Sequence, residues 1–259
     1  MVAWYVVVAG ALFSGAVIGF TGGVLGIGGG LLAIPLLGLV LGMDQQLAQG
    51  TALIMVLPAV LATVRKYNQQ EAIDLRAAAA GALGSIALTW VGAQLALGMD
   101  PVLLRTIYAV FVLLIAVFYF YQSSPWARRG TSSTPRLKVR DHHRGWFALI
   151  GMLAGITGGI FGVGGSVLVV PLLTTVFRLS QTDAQGLALT MIIPGIVVAL
   201  VAYALQGQAD WMVGIPMALG SIALVPYGVR LAFSLPEPRL KLTFACMLLV
   251  IMVLLLVSS

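Results

Sequence analysis

The groups best suited to hold a small ligand are concentrated in two glycine-rich stretches. The first carries Thr21, Gly22, Gly23, Gly26, Gly28, Gly29 and Gly30, and the second Thr157, Gly158, Gly159, Gly162, Gly164, Gly165 and Ser166. Glycine lets the backbone adopt φ > 0 or approach a ligand closely, and the seven glycines from Gly19 to Gly30 are too many for a stable helix interior. A helix that begins directly after such a run, near Leu31 or Val167, presents free N–H groups and a partial positive charge. That is chemistry for an anion, to which the hydroxyls of Thr21, Thr157 and Ser166 add donors. Pro35 and Pro171 fall well inside those helices, so each is expected to kink its helix and free a carbonyl. Gln49 and Gln185 lie one turn into the next apolar segment, where a polar side chain faces the bundle interior. They either hydrogen-bond substrate or tie helices together. Thr51 shares the turn of Gln49, but the position matching it in the second stretch is Leu187.

The two stretches are copies. Residues 19–37 and 155–173 are identical at eleven of nineteen positions, at an offset of 136. The offset continues without a gap: Gln49-Gly50 matches Gln185-Gly186, Pro58 matches Pro194, Gln70 matches Gln206, and Asp74 matches Asp210. The chain reads as a duplication, with residues 1–122 and 146–259 as two membrane repeats and 123–145 as a basic linker.

The elements around these copies are membrane helices. Charged residues are 8% of the chain, against roughly 25% in an ordinary globular protein, and mean hydropathy is +1.06. Helices satisfy their own backbone hydrogen bonds in lipid, and the alternating pattern of an outer-membrane barrel is absent. The expected fold is an all-α polytopic membrane protein of two repeats, each with about five helical segments. Segments 31–42 and 166–177 are shorter than the roughly 20 residues a span needs. The first two segments of each repeat therefore form a glycine-broken or re-entrant hairpin. Met1–Ala16 has no basic leader and is expected to be retained as the first helix.

An odd net number of crossings per repeat makes the second repeat inverted. With the linker cytoplasmic, this arrangement puts thirteen of the fourteen Lys and Arg residues inside and only Arg105 outside, as the positive-inside rule requires. A parallel arrangement would place Arg230, Arg239 and Lys241 outside. Both termini are then expected to be extracytoplasmic.

Other polar and small residues read as structural. Gly81, Gly84, Gly92, Gly214, Gly220 and Gly228 suit close helix packing. Ser85 and Ser221 suit bonding back to their own helices. Asp74, Asp210 and the pair Ser180 and Asp183 suit helix capping, and Cys246 suits a small packing position. His142 and His143 with Asp141 read as solvated linker residues, so no metal site and no cofactor are expected. No GxSG, membrane-depth Ser–His dyad or Walker loop occurs, so an enzyme and direct ATP coupling are not expected.

The paired GGxxGxGGG-type loops, each followed by Pro-Leu-Leu, resemble the TauE/SafE family of sulfite exporters. So do Ala48–Thr51, the basic-to-Asp turn Arg65–Asp74 and the GxxG stretch after it. The likeness covers nearly the whole chain. It implies a secondary transporter of the cytoplasmic membrane for sulfite, organosulfonates or related sulfur-containing or organic anions, with export the expected direction. The family's loop residues carry over to Gly22, Gly23, Gly26, Gly28, Gly29 and Gly30, and to Gly158, Gly159, Gly162, Gly164 and Gly165. Ser166 departs from the pattern at the last glycine and Leu187 at the threonine. The expected partners are a small anion, the lipid bilayer and a coupling ion, H+ or another, with no nucleic acid; the oligomeric state stays open. An anion or small-solute channel, a cation-coupled amino-acid symporter and a membrane scaffold are the alternatives.

Overall fold

The computed structural model describes residues 4–123 and 144–257. The expectations for Arg128, Arg129, Arg136, Lys138, Arg140, Asp141, His142 and His143 lie outside the described residues. Ten helices account for the described chain. They are α1 (Trp4–Leu25), α2 (Gly30–Leu41), α3 (Gln45–Gln70), α4 (Leu75–Leu97), α5 (Pro101–Ser123), α6 (Arg144–Phe161), α7 (Ser166–Thr175), α8 (Gln181–Leu205), α9 (Trp211–Ser234) and α10 (Glu237–Val257). Six of them, α1, α3, α4, α5, α8 and α9, are long and apolar enough to cross a membrane. The 12 residues of α2 and the 10 of α7 rise only about 18 Å and about 15 Å, well short of a hydrocarbon core about 30 Å thick.

Helix boundaries follow local chemistry. Asp74 Oδ1 accepts from the N–H groups of Arg76 and Ala77, and Asp210 Oδ1 from those of Met212 and Val213, so both are N-caps. Ser180 Oγ caps α8 through the Asp183 N–H. Gly42 ends α2 in the left-handed conformation, and its repeat mate Arg178 takes the same conformation (φ 55) without being glycine. The two prolines sit inside α2 and α7. The carbonyl that Pro35 leaves free, Leu31 O, accepts a hydrogen bond from Tyr108 Oη at 3.1 Å.

Packing interlocks the repeats. The first helix of each lies along the fourth of the other, α1 on α9 and α6 on α4, while α3 packs on α9 and α8 on α4. Glycine makes these seams. A Cβ at Gly15 or Gly19 would run into the backbone of Met217 or Ser221, and one at Gly151 or Gly155 into that of Gly81 or Ser85. Gly84, Gly92, Gly220 and Gly228 likewise meet backbone carbonyls, and Gly81 and Gly214 meet the side chains of Met191 and Ile54. Ser85 and Ser221 donate to Ala82 O and Ala218 O, as expected of back-bonded serines. Leu, Ile and Val side chains fill the centre, while Phe13, Leu114, Leu205 and Met212 stand on the outer surface. Cys246 also faces outward, which corrects its reading as a packing residue: α10 packs on α5 with Phe244 and Leu248, a face that excludes position 246.

Candidate substrate site at the paired glycine loops

Between α1 and α2, Gly26, Gly28 and Gly29 have φ of 62, 73 and 83°; between α6 and α7, Gly162, Gly164 and Gly165 have 66, 72 and 76°. The same three positions of each copy take the conformation that only glycine adopts freely. Gly29 and Gly165 are the N-caps of α2 and α7, and neither helix start receives a side-chain cap. Every residue from Gly22 to Leu31 and from Phe161 to Val167 is buried. The loops also meet each other. A Cβ on Gly30 would lie 3.4 Å from Gly162 O, and Ser166 Oγ makes a long 3.5 Å contact to Ile27 O.

Each loop is held by a glutamine from the other repeat. A Cβ at Gly26 would collide with the Gln185 side chain, and one at Gly162 with that of Gln49. Gln185 Oε1 accepts from Tyr67 Oη at 2.8 Å, and Gln49 Oε1 from Tyr203 Oη at 2.7 Å. Tyr67 and Tyr203, 136 positions apart, are fully buried site residues that sequence reasoning missed. The offset that paired the glutamines pairs these tyrosines as well, and would have found them.

The two glutamines differ at the amide nitrogen. Gln185 Nε2 donates to Leu25 O at 2.7 Å. Gln49 is also fully buried, yet its Nε2 has no hydrogen-bond partner. A buried donor left unpaired costs about 1–3 kcal/mol.

The remaining expected site residues divide. Thr21 Oγ1 donates to Val17 O and Ile18 O, and Thr157 Oγ1 to Leu153 O and Ala154 O, so both hydroxyl protons are spent within α1 and α6. What these threonines leave for a ligand is oxygen lone pairs, because a helical Thr reaches the preceding turn before it reaches the loop. Thr51 Oγ1 accepts from the Asp210 N–H at 3.0 Å, so it joins α3 to the turn before α9. Pro35 and Pro171 are buried behind the loops.

This arrangement defines a polytopic helical membrane protein with two broken hairpins meeting in its interior. A family model described as "Sulfite exporter TauE/SafE" matches residues 11–255. The chain belongs to that family of membrane transporters. It is 26% identical over 233 residues to a "Probable membrane transporter protein" of Xylella fastidiosa (strain Temecula1), covering 87% of this chain and 85% of the relative. A protein of the same description from X. fastidiosa strain 9a5c is 24% identical over 240 residues, covering 89% and 88%. No solved structure matches the chain.

Proposed function

We propose that this transporter is a secondary carrier, not an enzyme, that exports sulfite, organosulfonates or related sulfur-containing or organic anions across the cytoplasmic membrane. Substrate binds between the glycine loops and is exposed to each side in turn. The observation that carries this reading is the contact of two buried loops of identical left-handed backbone, each gripped by a glutamine of the opposite repeat. Helix starts at Gly30 and Ser166 supply N–H groups with a partial positive charge. Backbone broken at membrane depth and paired across a repeat is the arrangement from which carriers build a substrate site.

The repeats are read as inverted. Ile54 meets Gly214 and Tyr67 meets Phe233, so α3 and α9 run the same way. The repeat mate of α9 is α4, which returns from α3 after the turn at 71–74. Mates pointing in opposite directions support a two-fold axis in the membrane plane. Charge then supports a cytoplasmic linker 123–145 and extracytoplasmic termini.

Proteoliposomes test the function. Labelled sulfite or methanesulfonate is expected to enter with saturable kinetics and to be accelerated by the unlabelled anion on the opposite side. Flux that rises linearly with concentration, without such exchange, would replace the carrier by a channel. For topology, a cysteine at the exposed position 206 is expected to react with a membrane-impermeant maleimide from outside intact cells; labelling there only after the cytoplasmic side is opened sinks the inverted reading.

A further inference from the structure

We infer that Gln49 is the ligand-contacting member of the glutamine pair, offering its Nε2–H bonds to an oxygen of the anion beside the second glycine loop, while Gln185 serves as an internal latch. The inference rests on the anion-carrier reading and assigns unequal work to two residues that the repeat makes equivalent.

The inequality lies in their hydrogen bonds. Both side chains accept from a tyrosine through Oε1, and both pack against the first left-handed glycine of the opposite loop. Gln185 then donates to Leu25 O, which closes its amide. The residue matching Leu25 is Phe161, and Gln49 makes no corresponding bond. Phe161 is engaged by its ring instead, stacked on Phe111 at 4.3 Å and tilted against Tyr108 at 5.8 Å. The side chain that carries this open donor packs, through its Cβ and Cγ, against the loop that precedes the uncapped start of α7.

Other buried, unpartnered side-chain atoms among the described residues belong to Gln45, Gln46, Tyr119 and Gln181. Gln45, Gln46 and Gln181 lie in the first turns of α3 and α8, and Tyr119 stacks on Phe244 of α10. An amide donor accepts no charge and gives up no proton, so it suits a ligand that presents lone pairs. Sulfite, sulfonate and carboxylate oxygens all qualify, and an ammonium group does not.

The pair makes opposite predictions for stability and binding. Replacing Gln49 by Met keeps length, removes the unpaired donor, and leaves Tyr203 Oη its contacts to Gly159 O and Ile160 O. Replacing Gln185 by Met orphans Leu25 O and leaves Tyr67 Oη only a 3.5 Å contact to Gly23 O. The experiment measures Tm without ligand, and affinity for sodium sulfite and sodium methanesulfonate by titration calorimetry, on the full chain in nanodiscs. Gln49→Met is expected to keep or raise the unliganded Tm and to weaken both anions by about tenfold or more. Gln185→Met is expected to lower Tm, with a smaller loss of affinity in the folded fraction. Gln49→Leu repeats the test with a second side chain. Wild-type affinity in the folded Gln49 variants, or an unliganded Tm falling as far as in Gln185→Met, overturns the assignment. A wild type that binds neither anion removes the anion reading itself, a result separable from either of those.

Discussion

The turn after α3 and the turn after α8 hold equivalent places in the two repeats, yet they close on their neighbours differently. Gly207 opens the second with φ 69, whereas its mate Glu71 is extended at φ −146. A glutamate takes the left-handed conformation only at a cost, so the first turn cannot copy the second. With Gly207 bent, the Gln208 carbonyl lies directly on Gly50 and the Asp210 N–H reaches Thr51. The other turn stands off. Over Gly186 there is only ordinary contact, 3.4 Å to Ile73 and Tyr67, and Leu187 has no hydroxyl to offer. What results is a cavity of about 30 Å³ whose lining includes Tyr67, Glu71, Asp183, Leu187 and Phe233. One backbone sign, from Gly207 to Glu71, thus distinguishes a tightly closed turn from a looser, more open one.

That contrast can be broken from either side. The largest effect is expected at Gly50, where an added methyl must displace the Gln208 backbone. Gly50→Ala should cost about 1–3 kcal/mol, the usual penalty for overpacking, while Gly186→Ala should cost much less; denaturation midpoints in detergent compare them. Equal losses would mean the two ends are equally tight.

Next comes Thr51→Val, which strips the Asp210 N–H of its acceptor at a cost of about 1 kcal/mol. A cysteine at position 208 should then label faster from its own side, whereas Leu187→Val, a change at the open end, should leave that rate alone.

The smallest effect concerns Glu71. Partial burial at the cavity pushes its carboxyl above the ordinary range, helped by the hydrogen bond its protonated form donates to Asp183 and by the Asp183 charge; Asp74 lines the same cavity. A carboxyl raised on folding binds its proton more tightly in the native state, so its stabilising contribution is full at low pH and is lost as pH climbs through the raised value. Tm should therefore fall over the pH range just above that of ordinary carboxylates, and Glu71→Gln should flatten the fall. An unchanged profile in that variant would place the titration elsewhere.

Much of this was legible because it depends on residues near one another in the chain. The left-handed glycines, the Asp74, Asp210 and Ser180 caps and the carbonyl freed by Pro35 follow from spacing alone. Thr21 and Thr157 follow the same local logic: helical geometry turns their hydroxyls to the preceding turn. The Tyr67–Gln185 and Tyr203–Gln49 bonds span 118 and 154 positions, and only the tertiary fold brings those atoms together. The inequality of the turns was hidden too, since a Glu in place of a Gly reads as a surface change until its φ is known.

The glycine seams set a timetable for making the protein. The small face of α1 is shaped for α9, and 185 residues of chain separate Leu25 from Trp211. At about 5–20 residues per second, the first helix waits roughly ten to forty seconds beside the translocon with its groove filled only by lipid. An early stop codon would thus strand α1 without its mate, and the same timing makes that helix a natural client for an insertion chaperone.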